Sequence, residues 1–456
     1  MADLATRLVD LALDQSILST PPAVVHEAKR RVLDSIGCMI GGRGGDSSQM
    51  ALRYVRERRA RPEATVVGEH QRTSPELAAF ANGALIRYLD FHDSSSAGVD
   101  SAHPSGAIAG LLAVAEARGA GGPDLIQAIL SAYDAMVRVQ RAVRGPGMIA
   151  QGFHNATLLG IGVPVGAARL LNLDRKAVVH ALRLSLTYSP TLDQLRHGQI
   201  PNSKGITDAW VVSTGVRATL LAEMGMEGPE GVIEGAWGFA PAVAGEIDEA
   251  ALLAAPNGHQ MLETGLKAYP CVGSAQSAVA AVLALHAQGV RAEAVSSLEI
   301  GLPLRLYESL AGDPGKFAPA TKEAADHSLP YCAAVALLKG ELGPGLFSEE
   351  WLQSPAPRAL MTRITLRHDE DLDRLPTGAG PARVTIHTVD GGVHEARVLD
   401  SPGRPGNPLP DAVLSEKFRM LCRGTAPEGR AEQVERAVRR LDQMRDVRRL
   451  TALLRW

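Results

Sequence analysis

Apolar residues recur every three to four positions through most of residues 1–265, the period of helices that bury one stripe. Ala23–Ile40 (AVVHEAKRRVLDSIGCMI) predicts one such helix, stopped by Gly41-Gly42. In DLIQAILSAYDAMVRVQRAV, Leu125, Ile129, Tyr133, Met136 and Val137 share a face, and Asp124 is placed to cap it. The pattern changes after about Pro270. Helices are expected over Ser277–Gln288 and Ser328–Lys339, but LEIGLPLRLY, RITLRH, ARVTIHTV and VHEARVL read as strands. Asp390-Gly391-Gly392 supplies the hairpin turn between the last two. The linker SPGRPGNPLP, Ser401–Pro410, precedes a basic helical tail in which Arg436–Arg449 is expected to form an amphipathic surface helix. The fold class predicted is mainly α. An all-helical domain spans 1–266, a smaller α+β domain 267–403, and a helical segment 404–456 returns to the first.

The helical part is rich in Ala and Gly, and aromatics make up only 4% of the chain, so close helix approach is expected. With 456 residues, 45% of them hydrophobic, the chain has ample material for a core. A net charge of −3 offers no broad basic surface, which argues against nucleic-acid or anionic-membrane partners. The basic run Arg56–Glu63 reads as a solvated helix end. No apolar run approaches the ~18–20 residues that span a bilayer, and MADLATRLVDLALDQ lacks a secretory layout. The four cysteines, Cys38, Cys271, Cys332 and Cys422, are scattered. A cytoplasmic protein is expected, with no metal centre and no bound cofactor, since phosphate-cradle and zincin motifs are absent too.

Candidate chemistry concentrates before helix starts. His103 precedes Pro104-Ser105, where Ser105 is placed as a cap; His154 precedes a start at Asn155. Lys204 precedes GITDAWVV, and Lys267 lies shortly before SAQSAVAAV. Helix N-termini carry partial positive charge, so lysines there call for an anion, and several such ends together would suit two or three carboxylates. Each residue also has a plainer reading: a histidine near a helix start is commonly a cap-region residue, and a lone lysine is commonly solvated. Asp90 and Asp93 stay open between turn carboxylates and acid–base groups.

At these residues the sequence resembles the MmgE/PrpD family, which includes 2-methylcitrate dehydratase and cis-aconitate decarboxylase. The resemblance covers essentially the whole chain through YLDFHDS…AHPSG, GFHNAT, QLRHGQIPNSKG, LKAYP…AQSAV and EAADHSLPY, in that order. EAADHSLPY and the Arg196–Lys204 spacing resemble the dehydratases, whereas HPSGA resembles the decarboxylases. The resemblance implies a large helical domain with an α+β lid, a homodimer, and metal-free catalysis in the cleft between domains. It places catalytic positions on Asp90, His103, His154, Lys204 and Lys267, and the hydroxyl position on Ser94. Two departures stand out: a longer segment between Asp90 and His103, and Ser274 where the dehydratases carry a histidine. Arg196, Lys204 and Lys267 are expected to bind carboxylates, with Ser94, Ser274 and Gln276 beside the substrate. His103 and His154 are the expected acid–base pair, their individual roles open, with Asp90 orienting an imidazole or acting as base. The expected function is a lyase for a small di- or tricarboxylate, dehydrating a 2-methylcitrate-like hydroxy acid. Decarboxylation of a cis-aconitate-like acid, epimerisation beside a carboxylate, and polycarboxylate binding without turnover are the alternatives.

Overall fold

The computed structural model describes residues 3–14, 16–254, 259–375 and 380–456. The molecule is mainly helical with a small sheet. The helices that shape the site are Pro22–Gly41, Pro75–Tyr88, Ala107–Arg118, Gly122–Ala142, Leu159–Leu170 and Thr207–Glu223. Ala107 to Glu116 are buried without exception, so AIAGLLAVAE has no polar face because it has no wet one. Small residues let its neighbours close up. A Cβ on Gly83 would come within 2.7 Å of Ala209 Cα, and one on Gly162 within 2.6 Å of Ala132 O. Those helix pairs therefore meet at backbone contact.

Several local expectations are corrected. The helix of the DLIQAIL segment begins at Gly122, and Asp124 lies within its first turn, accepting from Gly121 N at 3.0 Å. Pro123 sets this earlier start, since its missing N–H costs nothing there. LEIGLPLRLY is two elements: the strand Val295–Leu302 stops at Pro303, and Leu304–Ala311 is a helix. The tail forms the helix Arg430–Arg439, a turn at Leu441–Gln443 and a last turn at Arg448–Thr451, not one surface helix. Its Val434, Val438, Leu441, Val447 and Leu450 are buried. The first 266 residues also hold short antiparallel ladders, of which Asp93–Ser95 against Thr264–Leu266 matters most for function. Its two strands lie about 170 residues apart, so no local pattern announces the pairing.

Beyond the helical body, one sheet runs in the order Val393–Val398, Ala382–Thr388, Val295–Leu302, Ile364–His368. Val295–Leu302 and Ile364–His368 are parallel and the other pairs antiparallel. Gln276–Ala287 and Leu329–Lys339 share a second hydrophobic cluster with it, built around Val282, Leu298, Ile300, Val384 and Ile386. The helix Asp411–Cys422 then packs on Pro22–Gly41, where Phe418 and Leu421 lie over Gly37 and Gly41. No helix among the described residues is long and apolar enough to cross a membrane.

Candidate active site

The helix Pro75–Tyr88 runs out at Leu89, and Asp90 follows with φ +49°, a left-handed conformation that Asp tolerates better than most residues. The turn sets its carboxylate beside Arg87, whose Nη1 donates to Oδ1. The 93–95 ladder puts Asp93 opposite Leu266, which brings Lys267 alongside this turn. Lys267 Nζ donates to Asp90 O at 2.8 Å and Oδ2 at 2.9 Å. From behind, Lys417 Nζ donates to Phe91 O at 2.7 Å and Lys267 O at 2.9 Å, and pairs with the buried Asp34 at 2.7 Å. The returning C-terminal helix thus fastens the two strands of the site together.

Lys204, buried in the Asn202–Ile206 turn, sits 3.8 Å from Asp90 Oδ1 and 3.7 Å from Asp326 Oδ1. Its Nζ has no hydrogen-bond partner among the described residues. Burial, followed by Arg87, draws its pKa down to about 8 against the pull of Asp326 and Asp90. Burial alone would raise the Asp90 carboxyl, but Lys204, Lys267 and Arg87 hold it well below the usual carboxylate range. Asp326 is held low in the same way by Lys204 and Lys322, the latter at 2.7 Å, and its Oδ1 accepts from His327 Nδ1. Lys204 and Lys267 thus face the protein's own carboxylates as well as the site. Asp90, Asp326 and His327 bring three metal-capable atoms within 4.8 Å of one another. The Lys204 ammonium lies close to both carboxylates of that group, so the cluster carries its own cation.

The two histidines differ in tautomer. His103 Nδ1 lies 2.7 Å from Asp93 O, and a carbonyl only accepts, so Nδ1 holds the proton and Nε2 is bare. His154 Nδ1 accepts from Ala156 N at 3.0 Å, so its proton is on Nε2, which has no partner among the described residues. Burial lowers both pKa values well below 6.5, assisted by Lys267 at His103 and Arg196 at His154. Both rings are therefore neutral at pH 7. His92, wholly buried, packs against His103 with ring centroids 4.8 Å apart. The caps are also reassigned. Asp93 Oδ1, not the Ser105 side chain, closes the Pro104–Gly106 turn by accepting from Ser105 N and Oγ at 3.0 and 2.7 Å. His154 itself caps the turn at Asn155.

A cavity of about 350 Å³ opens between the helical body and the sheet-bearing part. Asp90, Ser94, His103, His154, Arg196, Lys267 and Ser274 all line it. Arg196 enters already paired with Asp193 at 2.6 Å. Lys204 lies close by without lining the cavity, through its contact with Asp90. Gln276 is engaged elsewhere. Its Oε1 accepts from Ala268 N and Tyr269 N, both at 3.1 Å, and Nε2 donates to Tyr269 O at 2.8 Å. The amide shapes the 267–271 loop, and Gln276 does not line this cavity. The lining residues not anticipated include four with basic side chains, Arg87, His327, Arg305 and Arg404. The Asp326-His327 pair stood in EAADHSLPY as a usable signal. Arg305 and Arg404 gave none, one in an expected strand and one in a Pro/Gly-rich linker.

Models of the MmgE/PrpD N-terminal domain and C-terminal domain match residues 6–250 and 269–443. The chain belongs to the MmgE/PrpD family. It is similar to the 2-methylcitrate dehydratase of Cupriavidus necator, 28% identical over 429 residues, 88% of this chain and 86% of that protein. It is also similar to the cis-aconitate decarboxylase of Aspergillus terreus (strain NIH 2624 / FGSC A1156), 24% identical over 458 residues, 95% and 92% of the two chains. The human cis-aconitate decarboxylase is 24% identical over 459 residues, 95% and 90%. The MmgE/PrpD relatives thus include enzymes that remove water and enzymes that remove carbon dioxide.

Proposed function

We propose that this MmgE/PrpD protein is a metal-independent lyase for small hydroxy-di- or tricarboxylates, eliminating water from a 2-methylcitrate-like acid. One observation carries the reading: a bare imidazole nitrogen on His103 and a protonated one on His154 belong to the same cavity. Elimination of water needs a base and an acid of that kind. His103 Nε2 takes the proton α to a carboxylate, and His154 Nε2–H protonates the departing hydroxide. The C–H and C–O bonds break, C=C forms, and water leaves. Charge building on the carboxylate during proton removal is met by Lys267, Arg196 and Arg305, with Lys204 close behind Asp90. Asp90 positions Lys267 and stays ionised, so it is a weak base. No step requires a bound cofactor. The sheet-bearing part supplies Ser274, Arg305 and His327 and acts as the lid.

Decarboxylation of a cis-aconitate-like acid is the second reading, favoured by the His154 donor, because that reaction needs an acid and no base. Parallel detection of new alkene absorbance and carbon dioxide across hydroxy-tricarboxylates and cis-aconitate separates the two. His103→Asn should lower dehydration kcat by about 10²–10⁴-fold, the range of general-base effects, and His154→Gln by about 10²-fold. Unchanged turnover in both variants would refute the assignment.

A further inference from the structure

Beside the catalytic cavity lies a second one of about 410 Å³, which shares Ser94, Ser96, Lys267, Gly273 and Arg404 with it. The side chains that Ala97, Leu262, Leu266, Pro402 and Pro405 present to it are apolar. Of its charged and amide groups, Glu263 pairs with Arg141, Lys267 with Asp90, and Gln276 is spent on the 267–271 loop, while the Asp400 carboxylate lies on the Arg404 side of the chamber. The wall formed by residues 400–407 is held firmly. Gly403 N donates to Asn407 O at 2.8 Å, and a Cβ on Gly403 would sit 1.7 Å from Leu266 O. Arg404 stands where the two cavities meet. It makes no side-chain hydrogen bond among the described residues, and the carboxylate within reach, Asp400, is 4.0 Å away. Arg196, Arg87 and Lys267 by contrast already hold carboxylates at hydrogen-bond distance. The junction therefore offers an uncommitted guanidinium next to an apolar chamber larger than the catalytic one.

Resting on the lyase reading above, we propose that this chamber is a subsite for an alkyl arm longer than methyl on the hydroxy-polycarboxylate, with Arg404 binding a carboxylate at its mouth. The arm enters largely apolar space while the carboxylates stay among the cations, which is how an amphiphilic acid partitions.

The test measures kcat/KM and equilibrium Kd for citrate analogues carrying 2-methyl, 2-ethyl and 2-butyl arms. Each buried methylene should add about fourfold, so the butyl compound should exceed the methyl one by about 60-fold. Ala97→Phe, which fills the chamber away from the catalytic groups, should erase that gain and leave the 2-methyl compound within about twofold of the parent protein. Leu262→Trp, at the chamber's exposed edge, tests the same loss if Ala97→Phe fails to fold. Flat or weakening values along the series overturn the subsite, even with brisk turnover of the methyl compound. Binding that tightens with arm length, is erased by Ala97→Phe and comes without turnover of any compound supports the subsite and defeats the lyase reading. Absence of binding across the series overturns the subsite.

Discussion

Lys204 shares one ammonium between two buried carboxylates and bonds to neither, so its charge is set by burial and by the charges around it. With its pKa drawn down to about 8 it is cationic at pH 7 and half discharged near pH 8. Asp90 and Asp326 remain ionised there, so discharge leaves unbalanced negative charge beside the cavity. Carboxylate substrates should then be repelled: kcat/KM should fall about tenfold per pH unit above about pH 8, mostly through KM. A pH–rate profile checks this, and Lys204→Met should have low kcat/KM at every pH with no limb near 8. On the acid side His103 stays unprotonated well below pH 6.5, so activity should persist there. The residue types of this cluster were readable from the chain. Their mutual neutralisation was not, because Asp326 lies 122 residues from Lys204.

Among the elements, the turn that carries His103 is held by a cap from outside itself. Asp93 Oδ1 accepts from Ser105 N and Oγ, and Oδ2 accepts from Tyr133 OH at 2.7 Å. Asp93→Ala strips the acceptors from three buried donors and should cost about 2–4 kcal/mol, read as a lower denaturant midpoint. Asp93→Asn keeps an acceptor for Ser105 and should cost less than half as much. A loss under about 0.5 kcal/mol in Asp93→Ala would show that the cap does not hold the turn. Helix positions were legible from periodicity, as in Pro22–Gly41 and Gln276–Ala287. Caps were less so: Ser105 looked suited, yet Asp93 does that work from twelve residues upstream, and His154 caps the turn that follows it. Propensity sees neighbours along the chain, and a cap is chosen by neighbours in space.

For the whole molecule, the buried histidines His92, His154 and His327 and the half-buried His103 all have lowered pKa values, with loss of solvent the first cause; His327 falls to about 4. The unfolded chain titrates them near 6.5. Below that pH it binds protons that the folded state refuses, so stability is full above about 6.5 and falls as pH drops. The raised carboxyls of Asp34, Asp93 and Glu323 act in the opposite sense. Replacing a single histidine isolates its share. His92→Gln should reduce the slope of unfolding free energy by about 1.4 kcal/mol per pH unit between pH 6 and 5. Denaturant titrations at pH 7, 6 and 5 measure it, and an unchanged slope would mean that His92 protonates freely in the fold.

The sequence alone determined the alternation of helical and strand segments, the family, and several of the side chains that line the cavity, because periodicity and motifs are local. The tertiary structure decided the rest. It joined residues 93–95 to 264–266, which set Lys267 on Asp90, and it put Asp326 and His327 beside Lys204. It left His103 Nε2 bare and the His154 proton on Nε2 through backbone partners, and it brought Arg404 from a linker to the wall of the cavity. Charge state and tautomer follow from which groups lie within a few ångströms, and folding alone sets those distances.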